Sequence, residues 1–251
     1  MVPGMTQPAG VPKEEFLQSV RRALGRSGGP PHTPYPLLKD TADDLQRQVG
    51  KARRRIEADR APLMDRLAQV AALQDWNVHR AQDPEDAIGY ILSLASRLGV
   101  TQIVRTSQEV FSQIPLDQAL AAQGVSMTTA ALEAGRDRGS VRAAIIEAGI
   151  GITGADYAVA ETGSVVLLPR RGLSRLASVI PPVHIALIRP EDLVDTLDDV
   201  FLMRRLDYHQ NGGEMGSYLN FITGPSRTAD IEQTLVIGVH GPREVHMVLL
   251  G

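Results

Sequence analysis

The 251-residue sequence predicts an α/β fold: a mainly parallel sheet covered on both faces, preceded by a helical extension. Three observations predict it. From residue 84 onward, apolar runs of strand length alternate with segments of helix length through short connections. Runs such as Val183–Ile188 are almost continuously apolar, as strands buried on both faces of a parallel sheet are. Two more apolar runs, 155–160 and 164–168, are separated only by Glu161-Thr162-Gly163, so one antiparallel hairpin is built in.

Taken in order, residues 1–36 are expected to be a flexible arm and linker. Residues 1–12 are rich in Pro and Gly. A short helical pattern (Phe16, Leu17, Val20, Leu24) follows and stops at Gly25, and 28–36 reads as an extended Pro-rich linker. Residues 37–80 are expected to be a helical extension. Leu45, Val49, Ala52, Ile56, Leu63, Leu67 and Val70 recur there at close to heptad spacing, and Pro62 must kink or split the tract. Such a stripe could pair with a partner or a second copy through residues 40–75. Arg53-Arg54-Arg55 could grip an anionic partner or form a solvated helix face.

The α/β domain is placed at 81–251. Asp83 as N-cap, Pro84 at the first helical position and Gly99 as the stop predict a helix over 84–98. Strands are expected at 101–105 and 125–128, and helices at 116–123 and 141–148. After the hairpin and the strand at 183–188, Pro190-Glu191 is expected to open a helix to Leu206. Residues 207–216, with His209 and two adjacent glycines, read as a mobile loop. A strand into Phe221, a helix with Thr228 as its N-cap and a last strand over 244–250 complete the body.

Composition narrows the chemistry. There is no cysteine, so thiolate catalysis and cysteine-held zinc or iron–sulfur clusters are excluded within this chain. Residues 1–75 hold 12 Lys or Arg against 9 Asp or Glu, while 76–251 hold 14 Arg against 20 acids and no lysine. An acidic body argues against nucleic acid as the ligand. No apolar run approaches the ~20 residues that span a bilayer, and nothing resembles a signal peptide, so a cytoplasmic protein is the expectation. No pair of residues has metal-site spacing, and no metal is expected. The P-loop pattern is missing, and Gly149-x-Gly151-x-x-Gly154 follows a helix and leads into a strand, the wrong context for a dinucleotide.

Three stretches could carry chemistry. In 220–232, a strand ending at Asn220-Phe221-Ile222 feeds a helix through Thr223, Gly224, Ser226 and Arg227. Free backbone N–H groups, the helix dipole and the arginine could then hold a phosphate or carboxylate; the alternative is a capped turn with Arg227 in a salt bridge. In 151–163, Thr153, Gly154 and Asp156 form a small-residue turn, and Glu161, with Thr162 and Gly163, lies at the hairpin end. Glu161 is the candidate nucleophile, or else a turn acid. In 175–185, Arg175 is a candidate anion ligand, and His184 is either a catalyst or a hydrogen-bonded core residue. His240 falls in a turn between strands.

Together Thr153 to Gly163, Arg175-Leu-Ala through Pro181-Pro-Val-His184, and Asn220 to Glu232 followed by Gly238-Val-His-Gly-Pro242 resemble the LUD-domain family, in particular its lactate-utilization members. The resemblance covers roughly residues 85–251. It implies a three-layer α/β/α fold similar to ribose-5-phosphate isomerase and CoA-transferase proteins. It also implies a part in oxidising L-lactate to pyruvate beside iron–sulfur partner proteins, with this chain as the component that carries no cluster and no cofactor. The family motifs match onto Thr153, Gly154, Glu161, Thr162, Gly163, Arg175, Pro181, His184, Asn220, Thr223, Gly224, Ser226, Arg227, Thr228 and Asp230. The alternatives are a CoA-transferase or ligase-like enzyme with Glu161 as acyl acceptor, and a non-catalytic oligomerisation module.

Overall fold

The computed structural model describes residues 12–25, 40–131, 137–168, 175–213, 216, 218–229 and 234–251. Residues 1–41 form one unit, in which α1 spans Lys13–Ala23. Glu14 and Glu15 in its first turn and Arg21 and Arg22 in its last complement the helix dipole.

Residues 42–251 form the second unit. It opens with α2 (Ala42–Ala58) and α3 (Arg60–Leu73). Pro62 splits the tract: it falls in the first turn of α3, where a missing N–H breaks no helical bond. Then come β1 (Asn77–Ala81), α4 (Pro84–Leu98), β2 (Gln102–Arg105), α5 (Val110–Gln113), α6 (Leu116–Ala122), β3 (Ser126–Thr129), α7 (Arg138–Glu147) and β4 (Ile150–Thr153). The helix α4 starts and stops as its sequence predicts. Asp83 accepts from the Asp86 amide at 2.8 Å, and Gly99 takes the left-handed conformation. The chain continues through β5 (Tyr157–Val159), β6 (Ser164–Leu167), β7 (Val183–Ile188), β8 (Leu193–Val194), α8 (Leu197–Gln210), β9 (Asn220–Ile222), β10 (Arg227–Ala229), β11 (Leu235–Ile237) and β12 (Glu244–Leu250).

Among the described residues, six strands form one parallel sheet in the order β1-β12-β7-β4-β2-β3. The last strand of the chain is thus inserted between the first and the seventh. A mixed sheet, β8-β5-β6-β9, contains the predicted hairpin, with Val159 opposite Ser164. The fold is α/β, with flanking helices on both faces. Alternate residues of β7 divide between the two. Val183, Ile185 and Leu187 pack with Ile91 and Leu94 of α4, Val110 of α5 and Leu120 of α6. Ala186 and Ile188 join Met247 and Leu249 of β12 against α2, α3, α8 and the mixed sheet. A smaller cluster joins α7 to Val104.

The stripe on α2 and α3 faces this second core: Leu45, Val49, Ala52, Ile56, Leu63 and Leu67 are all buried with β5, β6, β8 and α8. Most of the stripe is therefore spent inside the fold, while Val70 is half-buried and Leu73 at the end of α3 is exposed. Arg55 has an internal partner as well, meeting the buried Asp199 of α8 at 2.7 and 2.9 Å. No helix among the described residues is long and apolar enough to cross a membrane.

Four local expectations are corrected. Residues 77–81 form an edge strand that polar Asn77, His79 and Arg80 conceal in the sequence. The small-residue stretch from Gly151 is not a turn until Gly154: Ile150–Thr153 is a fully buried inner strand. Gly151 is required there, since a Cβ would lie 1.8 Å from the Ala177 carbonyl, where the 3-10 turn Arg175–Ser178 crosses the strand. Pro190 opens only a 3-10 turn. The helix begins at Leu197, capped by Thr196 and Asp199, and runs on to Gln210, so His209 lies in its last turn rather than in a loop. Lastly, Thr228 caps no helix. It lies in β10, opposite Val236 of β11, because its β-branched side chain and those of Val236 and Ile237 suit an antiparallel pair. Residues 230–233, including Asp230 and Glu232, lie outside the described residues.

Candidate functional site

Two polar centres arise where the family motifs meet the parallel sheet. The first lies on the face that α2, α3 and α8 cover. Thr153 at the end of β4 and His184 in β7 are both fully buried, and Thr153 Oγ1 meets His184 Nε2 at 2.9 Å. Burial pushes the His184 imidazole down to about 3, and the neighbouring His246 acts in the same direction, so the ring is neutral at pH 7. Its Nδ1 has no partner among the described residues. The chain's one tryptophan, Trp76, lies beside it with ring centroids 6.1 Å apart, and the buried Nε1 of Trp76 is also unpaired among the described residues. Two adjacent rings therefore hold unsatisfied nitrogens away from solvent.

Gly154 is engaged differently. Its amide donates to Gln108 Oε1 at 2.7 Å, and the Thr106 hydroxyl donates to the same oxygen at 2.7 Å. The connection after β2 leads to α5 on one face and that after β4 leads to β5 on the other. Open α/β sheets bind ligands at such a divergence; here the Gln108 side chain fills it.

The second centre joins the hairpin turn to the loop after β9. The Thr162 hydroxyl donates to Ser164 Oγ at 2.8 Å, and Ser164 Oγ lies 2.7 Å from Thr223 Oγ1. The hairpin turn presses on the last turn of α3, and the loop after β9 presses on the segment joining α3 to β1. Gly163 and Gly224 have φ of 64° and 104°. A Cβ would come 2.6 Å from the Ala71 nitrogen at Gly163 and 2.1 Å from the Gln74 carbonyl at Gly224. Ser226 turns toward the chain entering β12: its amide donates to the Pro242 carbonyl and its Oγ accepts from His240 N at 3.2 Å. These motif loops therefore collect at the N-terminal ends of β1, β12 and β7.

The remaining candidates hold structural contacts. Arg227 pairs with Asp75 and reaches the Gln74 carbonyl at 3.5 Å. Thr228 beside it lies in β10 and not at the start of a helix. The exposed Glu161 accepts from the Leu197 amide at 3.0 Å, a carboxylate at the positive end of α8. Asp156 fixes the chain by accepting from the Leu168 amide at 2.7 Å. The Arg175 guanidinium stacks 4.9 Å above the Tyr218 ring. Asn220 keeps a buried Nδ2 in β9 that has no partner among the described residues. Among the described residues, no group of three or more His, Asp or Glu is placed to hold a metal ion.

Sequence reasoning missed Trp76, Thr106, Gln108 and Ser164. A lone tryptophan just ahead of a strand was a usable signal; Gln108 carried none, since only the fold brings it to Gly154.

Comparison with known proteins places this geometry. A match to the LUD domain family covers residues 64–250. A protein named "Lactate utilization protein C" from Anoxybacillus flavithermus is 35% identical over 251 residues, covering 94% of this chain and 98% of that protein. One of the same name from Bacillus pumilus is 27% identical, covering 94% and 96%. Another, from Halalkalibacterium halodurans, is 48% identical over 97 residues, which spans 38% of this chain and 41% of that protein. Among solved structures, a DUF162 family protein from Deinococcus radiodurans superposes with a TM-score of 0.52 at 19% identity, over 76% of this chain and 98% of that one. That likeness speaks to the fold.

Proposed function

Since the chain belongs to the LUD-domain family, we propose that it serves in lactate utilization, as a component without a redox centre of its own that binds a small organic anion. The observation that carries this reading is the near full-length similarity to two proteins named for lactate utilization. In the finer form of the proposal, the chain acts beside iron–sulfur proteins that oxidise L-lactate to pyruvate. With no cysteine, it lacks the thiolates that hold such clusters, so electrons leaving lactate pass through other chains. The anion would bind near the motif loops, either where Thr153 and His184 meet beside the Trp76 N–H or where the hydroxyls of Thr162, Ser164 and Thr223 meet. Gel filtration of the full chain with candidate iron–sulfur partners tests the assembly. Co-elution is expected, and separate elution at micromolar concentrations contradicts it.

Glu161 enters this reading as the residue that ties the hairpin to α8. An acyl-accepting role would require its carboxylate to leave the Leu197 amide. Glu161→Gln tests that role directly, since any acyl transfer that survives the change is not carried by this residue.

A further inference from the structure

Beyond the C-terminal ends of β4 and β7 lies a cleft of about 430 Å³, lined on one side by Asp156 and Tyr157 and on another by Pro190 and Glu191. This is the end of a parallel sheet where ligands of α/β proteins collect, and it is opposite to the motif loops. A smaller recess of about 210 Å³ shares Arg53, Tyr157 and Met203 with it. The walls are mixed: Ile56, Leu193, Val194 and Met203 are apolar, and Arg53, Glu57, Arg60, Asp156 and Glu191 carry charge.

The partners of those charges decide what the cleft can take. Glu57 pairs with Arg60, and Glu191 lies 3.3 Å from Arg189. Asp156 accepts from the Leu168 amide, and Asp207 in the recess meets Arg204 at 2.7 Å. Arg53 and the Tyr157 hydroxyl, which line both spaces, have no hydrogen-bond or ion-pair partner among the described residues. Burial and the nearby Asp207 push the Tyr157 phenol up to about 12, so it stays neutral and able to donate. One unpaired guanidinium and one free phenol thus stand beside an apolar wall. The committed carboxylates of Glu57, Asp156 and Glu191 disfavour a ligand with two negative charges.

We propose that this cleft binds a small monocarboxylate, its carboxylate held by Arg53 and the Tyr157 hydroxyl and its carbon chain lying against Ile56, Leu193 and Met203. The size, the one unpaired cation among the described residues that line the cleft, and the apolar wall together select a short organic acid over inorganic phosphate. The cleft takes Asp156 and Tyr157 from the 153–163 stretch but stands apart from the loops that carry Thr162 and Thr223, and it does not rest on the lactate reading.

Isothermal titration of the full chain with butyrate, L-lactate and inorganic phosphate tests it. Butyrate or lactate should bind, and phosphate should not. Arg53→Met keeps the aliphatic stem and removes the charge, and it should weaken binding about tenfold or more. Tyr157→Phe should weaken it about fivefold. Arg53 is exposed and unpaired, so its variant should melt with the wild type, which separates lost binding from lost folding. Arg97→Met, which breaks an exposed pair with Glu244 outside both the cleft and the motif loops, should leave binding unchanged. The proposal is overturned if neither acid binds, if phosphate binds as well as they do, or if Arg53→Met and Tyr157→Phe bind like the wild type. Loss in Thr223→Val with retention in Arg53→Met would also overturn it, while favouring the motif loops as the anion site.

Discussion

The buried His184 makes the stability of the fold sensitive to mild acid. Its imidazole titrates near 6.5 in an unfolded chain and is held down to about 3 in the native state, chiefly by burial. Between those values the unfolded state binds the extra proton, so acid favours unfolding. The stabilisation is fully present above pH 6.5 and is lost as pH falls toward 3. At about 1.4 kcal/mol per pH unit, His184 alone should lower stability by about 2 kcal/mol between pH 7.5 and pH 5. His246 is also shifted down by burial, and it adds in the same direction. Equilibrium urea unfolding at pH 7.5, 6 and 5 measures the slope, with His184→Gln as the comparison. The variant is expected to be less stable throughout, because the Thr153 hydroxyl loses its imidazole partner. Its stability should nonetheless fall by about 2 kcal/mol less across the window. Equal slopes in the two proteins would refute the reasoning, since they would mean that His184 takes up its proton without unfolding.

Two further changes probe the architecture. Gly151→Ala sets a methyl carbon 1.8 Å from the Ala177 carbonyl and should cost about 3 kcal/mol or more, or displace the 3-10 turn, read by chemical denaturation. Arg227→Met breaks an exposed pair with Asp75 and should cost no more than about 1 kcal/mol in melting experiments. If it also abolishes binding of an anion that the wild type holds, Arg227 is a ligand after all.

Much of the fold was legible because its signals are local. The apolar runs of β7 and β12 announce strands covered on both faces, and Asp83, Pro84 and Gly99 bracket α4 within its own sequence. What stayed hidden depends on distant partners. Thr228 followed by Asp230 and Glu232 imitates a helix start, yet its segment pairs with Leu235–Ile237. The strand β4 looks like a turn because Gly151 answers to the crossing at Ala177. For the candidate site, sequence order gave the motifs but not their neighbours. Only after β12 inserts between β1 and β7 do Pro182, Ser226 and Pro242 share one end of the sheet, with Trp76 beside His184. The reading of Arg227 as a salt-bridging residue, which the sequence left open, is the arrangement the fold adopts.

Growth on lactate tests the role in lactate utilization most directly. Cells that carry this protein, with its gene deleted, should fail to grow on L-lactate as the only carbon source, grow normally on pyruvate, and recover on lactate when the wild-type chain is restored. Undiminished growth of the deletion strain on lactate would contradict the account.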